Sequence, residues 1–534
     1  MTDTLSQKDR EALRLCLEKG QQESRMPRPK PDGKNEFASC VDRRAFLRGG
    51  AALVSTAAVA AALHGRANSA FAAPHQHQYG PVAPVKDEAT GLELIQLPSG
   101  FKYWSYGWTG DPMDDGTPTP GAHDGMGVIR SFGRWLVLCR NHEVAEGKPF
   151  MPIAYSTGAG GGNSNLVFDL KTERFVSSFP TLSGTFRNCA GGVTPWGTWL
   201  TCEETTVATA GKPHGYVYDV GPLGGSPNPL KNMGRFSHEA LAVDPRTDIV
   251  YQTEDGPSWS SGPFIDTGSG FYRFIPTYGG SQKGKLQMMK VVGLPGVNLQ
   301  FWDDLRQTLK VEWVDVPEPD PKVNENNVLQ GPSCFQQGLA NGGASFRRLE
   351  GCWYGDGKIF FLSTDGGPVT SSGSGEGQIF EYDIKRNTLQ LLYVSRSPAD
   401  LENPDNLTVM PDGNIMLCED NAGATTNPGE RLLILNDGKV SEFARNNLNF
   451  SAGFLGPYTR DESKVTFTGN QVQNEWAGAC FSPDGEWLFV NIQTPGITFA
   501  ITGPWKWRGF KRRDWDRDDD QWDWEDRDKD KKKW

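Results

Sequence analysis

One pattern recurs along the chain and limits its folds more than any other feature. An apolar run leads into a tight turn rich in Pro, Asp and Gly, and a second apolar run then ends in acidic or Thr/Gly residues. Ala240–Pro245 leads to Ile249–Asp255, Gly351–Gly357 to Ile359–Asp365, Asn406–Gly413 to Ile415–Asp420, and Gly478–Gly485 to Trp487–Asn491. Asn165–Asp169 with Phe175–Val176, and Gly192–Glu204, follow the same plan. Each copy reads as a hairpin, because Pro and Gly preset the φ values that a tight turn requires. Further hairpins such as Gln378–Asp383 with Leu389–Val394 extend the copies to four-stranded units, spaced roughly every 50–70 residues.

Four-stranded units repeated radially are propeller blades. Five units are clear, and a sixth is expected around Trp135–Leu138. The expected fold is all-β, a β-propeller of six blades, with a β-sandwich array as the alternative. Pro74 to about Gly121 reads as an irregular N-terminal arm, and positions near 277–345 read as an insertion. The 63 glycines in 534 residues exceed the usual share of about 7% and suit many tight turns.

The first 42 residues are polar and poorly patterned. Arg43 and Arg44 then precede Ala45-Phe46-Leu47, an uncharged small-residue stretch over Gly49–Leu63, and Ala70-Phe71-Ala72. The stretch is shorter than the about 17–25 residues of a membrane span. The order of basic, apolar and small residues is that of an export signal, and the paired arginines resemble the twin-arginine class. Residues 1–72 are therefore expected to be a leader removed after Ala72, with recognition by the twin-arginine machinery and a periplasmic or secreted product. Removal of that segment, with 12 basic and 8 acidic side chains, takes the net charge from −11 to −15. An acidic chain of this kind excludes a globally basic nucleic-acid binder. No later stretch is long and apolar enough to span a bilayer, and the expected product is a monomer.

Residues 73–505 form the expected propeller domain. The remaining tail, 506–534, interleaves 11 basic and 10 acidic residues with tryptophans and reads as a disordered extension. The nine cysteines include no Cys-x-x-Cys spacing, and a disulfide scaffold is unexpected at this size.

In a propeller the repeated hairpins converge on one funnel. The polar residues placed there are Asn141-His142-Glu143, Asn188-Cys189, Glu203-Glu204, His238-Glu239, Glu254-Asp255, Arg348 with Glu350, Asp405-Asn406, Glu419-Asp420 and Glu475. Crowded carboxylates repel one another unless protons or cations intervene. Hard oxygen donors suit Ca²⁺, Mg²⁺, Mn²⁺ or Fe³⁺. Cys189, in a Gly-containing turn, is the one soft donor of the row. A His-rich zinc site is disfavoured, since no His-Glu-x-x-His pair exists.

Read together, Asn141-His142-Glu143, Arg187–Gly192 with Thr194–Trp199, Cys202-Glu203-Glu204, Gly234–Glu239, Phe346–Gly351, Pro404–Leu407 and Leu417–Asp420 resemble the PhoX-type alkaline phosphatase family across about residues 90–500. The resemblance implies a six-bladed propeller whose funnel holds Fe³⁺ and Ca²⁺ and hydrolyses a phosphomonoester. By motif match it implies Cys189 and Glu239 as iron ligands. Glu143, Asn188, Glu350 and the carboxylates at Glu203, Glu204, Asp405 and Glu419 become candidates for either ion, and Arg348 grips the phosphate. A Ca²⁺-dependent lactonase-type propeller and a non-catalytic exported scaffold are the competing readings.

Overall fold

In the computed structural model the described residues are 5–25, 78–256, 268–277, 282–324, 329–370, 373–420 and 428–506. The twin-arginine segment and the tail beyond Lys506 lie outside them.

The hairpins build antiparallel four-stranded sheets, each starting from an inner strand. Unit one runs His123–Phe132, Trp135–His142, Gly161–Asp169 and Arg174–Thr185. Unit two starts at Asn188–Val193 and unit three at His238–Val243. Units four, five and six start at Leu349–Gly355, Pro404–Val409 and Trp476–Phe481. These inner strands touch one another in chain order, and the last meets the first, so the sheets ring a common axis in a propeller-like arrangement. The short turns behave as their sequences require. Asp356-Gly357 and Asp437-Gly438 both take positive φ and join directly paired residues, Gly355 to Lys358 and Asn436 to Lys439. Paired positive φ values match the right-handed twist of the flanking strands.

Apolar side chains between neighbouring sheets form the core. Leu200, Leu241, Val250, Tyr272 and Phe274 fill the space around units two and three, and Met126, Leu138, Phe168 and Phe489 that between units six and one. Each such side chain contributes about 1.5–3 kcal/mol when fully buried. All described cysteines are free thiols.

Three sequence expectations need correction. The N-terminal arm is not irregular throughout. Lys102–Tyr106 is the outermost strand of unit six, paired with Ile497–Thr502, so the start of the body closes on its end. Ile95–Pro98 and Val82–Val85 extend unit five outward. The expected insertion begins with Gly284–Val291, the fourth strand of unit three. It continues with Thr308–Asp315, which pairs with Gly284–Val291 on one side and Thr388–Val394 on the other, joining units three and four into one sheet. Finally, the polar N-terminus contains an α-helix, α1 (Gln7–Ser24), packed on the body. A second helix, α2 (Cys334–Ala340), is capped at both ends of its first turn by the reciprocal bonds of Ser333 and Gln336. Among the described residues no helix is long and apolar enough to cross a membrane.

Candidate metal centre

Every inner strand loses its regular pairing at the same place. Register shifts fall between His123 and Met126, Asn188 and Gly191, His238 and Leu241, Leu349 and Cys352, Pro404 and Asn406, and Ala477 and Cys480. An extra residue bends the strand and re-aims its side chains. In units one to five the second residue of the inner strand stands in the irregularity, as Asp124, Cys189, Glu239, Glu350 and Asp405; in unit six the equivalent Ala477 still pairs with Asn491, and the irregularity begins at Gly478.

A second set repeats just as regularly. The residue after each second strand is Glu143, Glu204, Asp255, Thr364, Asp420 or Gln493. Its N–H donates to the carbonyl of the residue before the inner strand, which is Ala122, Arg187, Ser237, Arg348, Asn403 or Glu475, at 2.8–3.1 Å in all units. Arg187 and Arg348 thus hold equivalent positions in units two and four, both with positive φ.

Glycine lets these strands crowd together. A Cβ on Gly125 would lie 2.5 Å from Ala190 Cα, one on Gly351 2.7 Å from Asp405 O, and one on Gly478 2.5 Å from Asp124 O. No side chain fits such approaches, and backbone contact draws the acidic residues of neighbouring units together.

Among the described residues four overlapping groups result: Asp124, Glu143 and Cys189; Cys189, Glu204 and Glu239; Glu239, Glu350 and Asp405; and Asp405, Asp420 and Glu475. In each, one donor atom per residue lies within 4.8 Å of the others. Cys189 Sγ is 3.0 Å from Glu239 Oε1. Arg187 reaches Glu143 at 2.7 Å and also bonds Glu204. Arg348 forks onto Asp255 at 3.1 and 3.2 Å and reaches Glu350 at 2.7 Å.

Burial is the first cause of the unusual acidities here, and neighbouring like charges are the next. It pushes Glu204, Asp255 and Asp405 up to about 7, with Arg187 and Arg348 partly opposing the rise. Asp124, Glu239, Glu350 and Glu475 are raised well above the ordinary carboxylate range, and the Cys189 thiol well above its own. Asp124 Oδ1 and Glu239 Oε2 are buried without a hydrogen-bond partner. Orphaned buried oxygens, crowded carboxyls and one thiol fit cations, which would lift the repulsion that protons otherwise relieve.

The structure brings together Glu143, Cys189, Glu204, Glu239, Glu350 and Asp405 from the expected set. It does not bring Asn188, Glu203 or Glu419 into these groups. The Asn188 side chain bonds Thr185 and Thr201. Glu203 accepts from the backbone N–H of Phe186, Gly215 and Tyr216 and pairs with His214. Glu419 is taken by Arg431 and the N–H of Glu402. Asn141 serves the centre indirectly, donating to the carbonyls of Cys189 and Ala190 at 2.8 and 2.7 Å. Asp124 escaped the sequence reading, although His123-Asp124-Gly125 parallels His238-Glu239-Ala240.

This ring of bulged inner strands, with acidic groups and one thiol at its mouth, defines an all-β, propeller-like protein that carries candidate metal-ligating groups. The sequence profile described as "Alkaline phosphatase PhoX" matches residues 77–167 and 155–496, and the chain belongs to that family. No curated protein sequence matches the chain. Among solved structures it is similar to a gluconolactonase from Xanthomonas campestris, at 11% identity and a TM-score of 0.37, covering 81% of this chain and 100% of that one. It is also similar to an oligogalacturonate lyase in complex with manganese (10%, TM-score 0.34, 81% and 99%) and to one from Vibrio parahaemolyticus (9%, TM-score 0.31, 82% and 100%).

Proposed function

We propose that this protein is an exported alkaline phosphatase, a six-bladed propeller that hydrolyses phosphomonoesters at an iron and calcium centre. The observation that carries the reading is the run of four metal-type groups that share members, so that ions bound there would lie side by side. Family membership supplies the reaction class. Cys189, with Glu204 and Glu239 around it, adds a thiolate to carboxylate oxygens, a mixed donor set that Fe³⁺ accepts and Ca²⁺ does not. The all-oxygen groups at Glu239–Glu350–Asp405 and Asp405–Asp420–Glu475 suit Ca²⁺. Bound cations would supply Lewis acidity, neutralising phosphate charge and lowering the pKa of water.

The chain's own residues do the rest. Asp255 and Glu350 fix the Arg348 guanidinium, which can donate parallel bonds to phosphate oxygens as Lys cannot. Arg187, at the equivalent place in unit two, offers a second guanidinium held by Glu143 and Glu204. Gly125, Gly351 and Gly478 keep the donor residues close enough to share ions. Export by the twin-arginine route, carried by Arg43 and Arg44, lets the chain fold and acquire metal before leaving the cytoplasm.

Metal analysis of the exported protein, beside p-nitrophenyl phosphate hydrolysis with and without Ca²⁺, tests the proposal. Bound iron, a thiolate-to-iron absorption band and Ca²⁺-dependent turnover are expected. Calcium alone without phosphate release overturns it and leaves the lactonase-type or scaffold reading.

A further inference from the structure

The sequence ahead of the twin-arginine pair forms a helix that the body receives as a fitted part. Helix α1 starts at Ser6, whose hydroxyl accepts from the N–H of Asp9 at 3.1 Å. Leu13, Leu17 and Gly20 follow helical spacing and are buried on one face. That face completes a core cluster with Ile129, Trp135 and Val167 of unit one and Val220 of unit two. At Gly20 the fit is close: a Cβ there would lie 2.6 Å from the Phe132 ring.

Polar contacts fix the helix along its length and to both units. Arg134 of unit one reaches Asp9 at 3.3 Å. Arg130, almost fully buried, bonds Glu23 and the Gly20 carbonyl at 3.3 Å and the Trp196 carbonyl at 2.8 Å. Gln21 reads the outer edge of unit two, accepting from the N–H of Leu223 at 2.8 Å and donating to the Gly224 carbonyl at 3.1 Å. Helices in proteins draw most of their stability from packing of an apolar face rather than from propensity, and the packed face does the same for α1.

We propose that α1 is a bound subunit in waiting: it stays docked across units one and two when the chain is cut anywhere between residues 26 and 77. The retained peptide covers Ile129, Phe132 and Trp135 of the body.

The test uses the full chain with a specific protease site placed between residues 26 and 77. After native cleavage the N-terminal fragment should co-elute with the body on gel filtration, with the amides of 7–24 still protected from exchange. Leu13→Asp with Leu17→Asp should weaken retention roughly a hundredfold or more, since two buried leucines are lost. Gly20→Leu, which meets Phe132 and leaves the body sequence intact, should also weaken it. A fragment that separates from a folded wild-type body, or that both variants retain unchanged, overturns the proposal.

Discussion

Cys189 and Glu239 occupy the same position in neighbouring units, the second residue of a bulged inner strand, and their side chains meet at 3.0 Å. The bulges turn two strand residues that would face separate neighbours into one pair at the ring's mouth. Cys189→Ser keeps the shape and removes the soft donor. Iron content and the visible band should be lost, with turnover falling about a hundredfold or more and calcium content nearly kept. Metal analysis of the variant checks this, and retained iron contradicts the assignment.

Arg348 should contribute to turnover more than to folding. Arg348→Ala should lower kcat by about 10²–10³, the cost of removing one charge-stabilising donor. The Ca²⁺-loaded variant should melt within a few degrees of wild type, since cations can replace the guanidinium between Asp255 and Glu350. Arg348→Lys should not rescue activity, because the ammonium lacks the fork. Loss of folding in the Ca²⁺-loaded variant would make Arg348 structural.

The centre predicts how metal-free protein responds to pH. Asp255, Glu204 and Asp405 are held up to about 7, well above their unfolded values near 4. The native state then binds more protons than the unfolded chain between those limits, so their contribution is greatest at about pH 4 and is lost as pH rises through 7. Melting temperature in chelator should fall across that window. Added Ca²⁺ should flatten the slope, and a parallel pair of curves would contradict the prediction.

Gly478 tests the close approach of strands. It has φ +63°, and an added Cβ would lie 2.5 Å from the Asp124 carbonyl. Gly478→Ala should cost about 1–3 kcal/mol and weaken Ca²⁺ binding by displacing Asp124. Urea unfolding with and without Ca²⁺ measures both effects.

Truncation at the C-terminal end should depend on two residues. Trp505 stacks on Phe443 at 5.2 Å and packs edgewise on Phe101 and Tyr79. Lys506 Nζ donates to the Gln78 carbonyl at 2.7 Å. Ending the chain after Lys506 should leave melting temperature and activity unchanged. Ending it after Pro504 should destabilise the body by about 1–3 kcal/mol.

By itself the sequence determined the hairpins, their turns and the kind of chemistry at their ends. Asp356-Gly357 and Asp437-Gly438 dictate local geometry wherever they occur, and the recurrent acidic strand ends mark one electrostatic problem. Strand closure was less legible. Lys102–Tyr106 carries a short alternating pattern, but its partner, Ile497–Thr502, lies at the other end of the body, and local propensity holds no information about so distant a pairing. The adjacent acids show the same limit at finer scale. In Glu203-Glu204 and Glu419-Asp420 successive side chains point to opposite sides. Tertiary structure assigns Glu203 to His214 and Glu419 to Arg431, and turns Glu204 and Asp420 toward the centre. Register is set by which face the surrounding sheets bury, and a shift of one residue would exchange the members of each pair. Which carboxylate meets a cation was decided only when the ring closed.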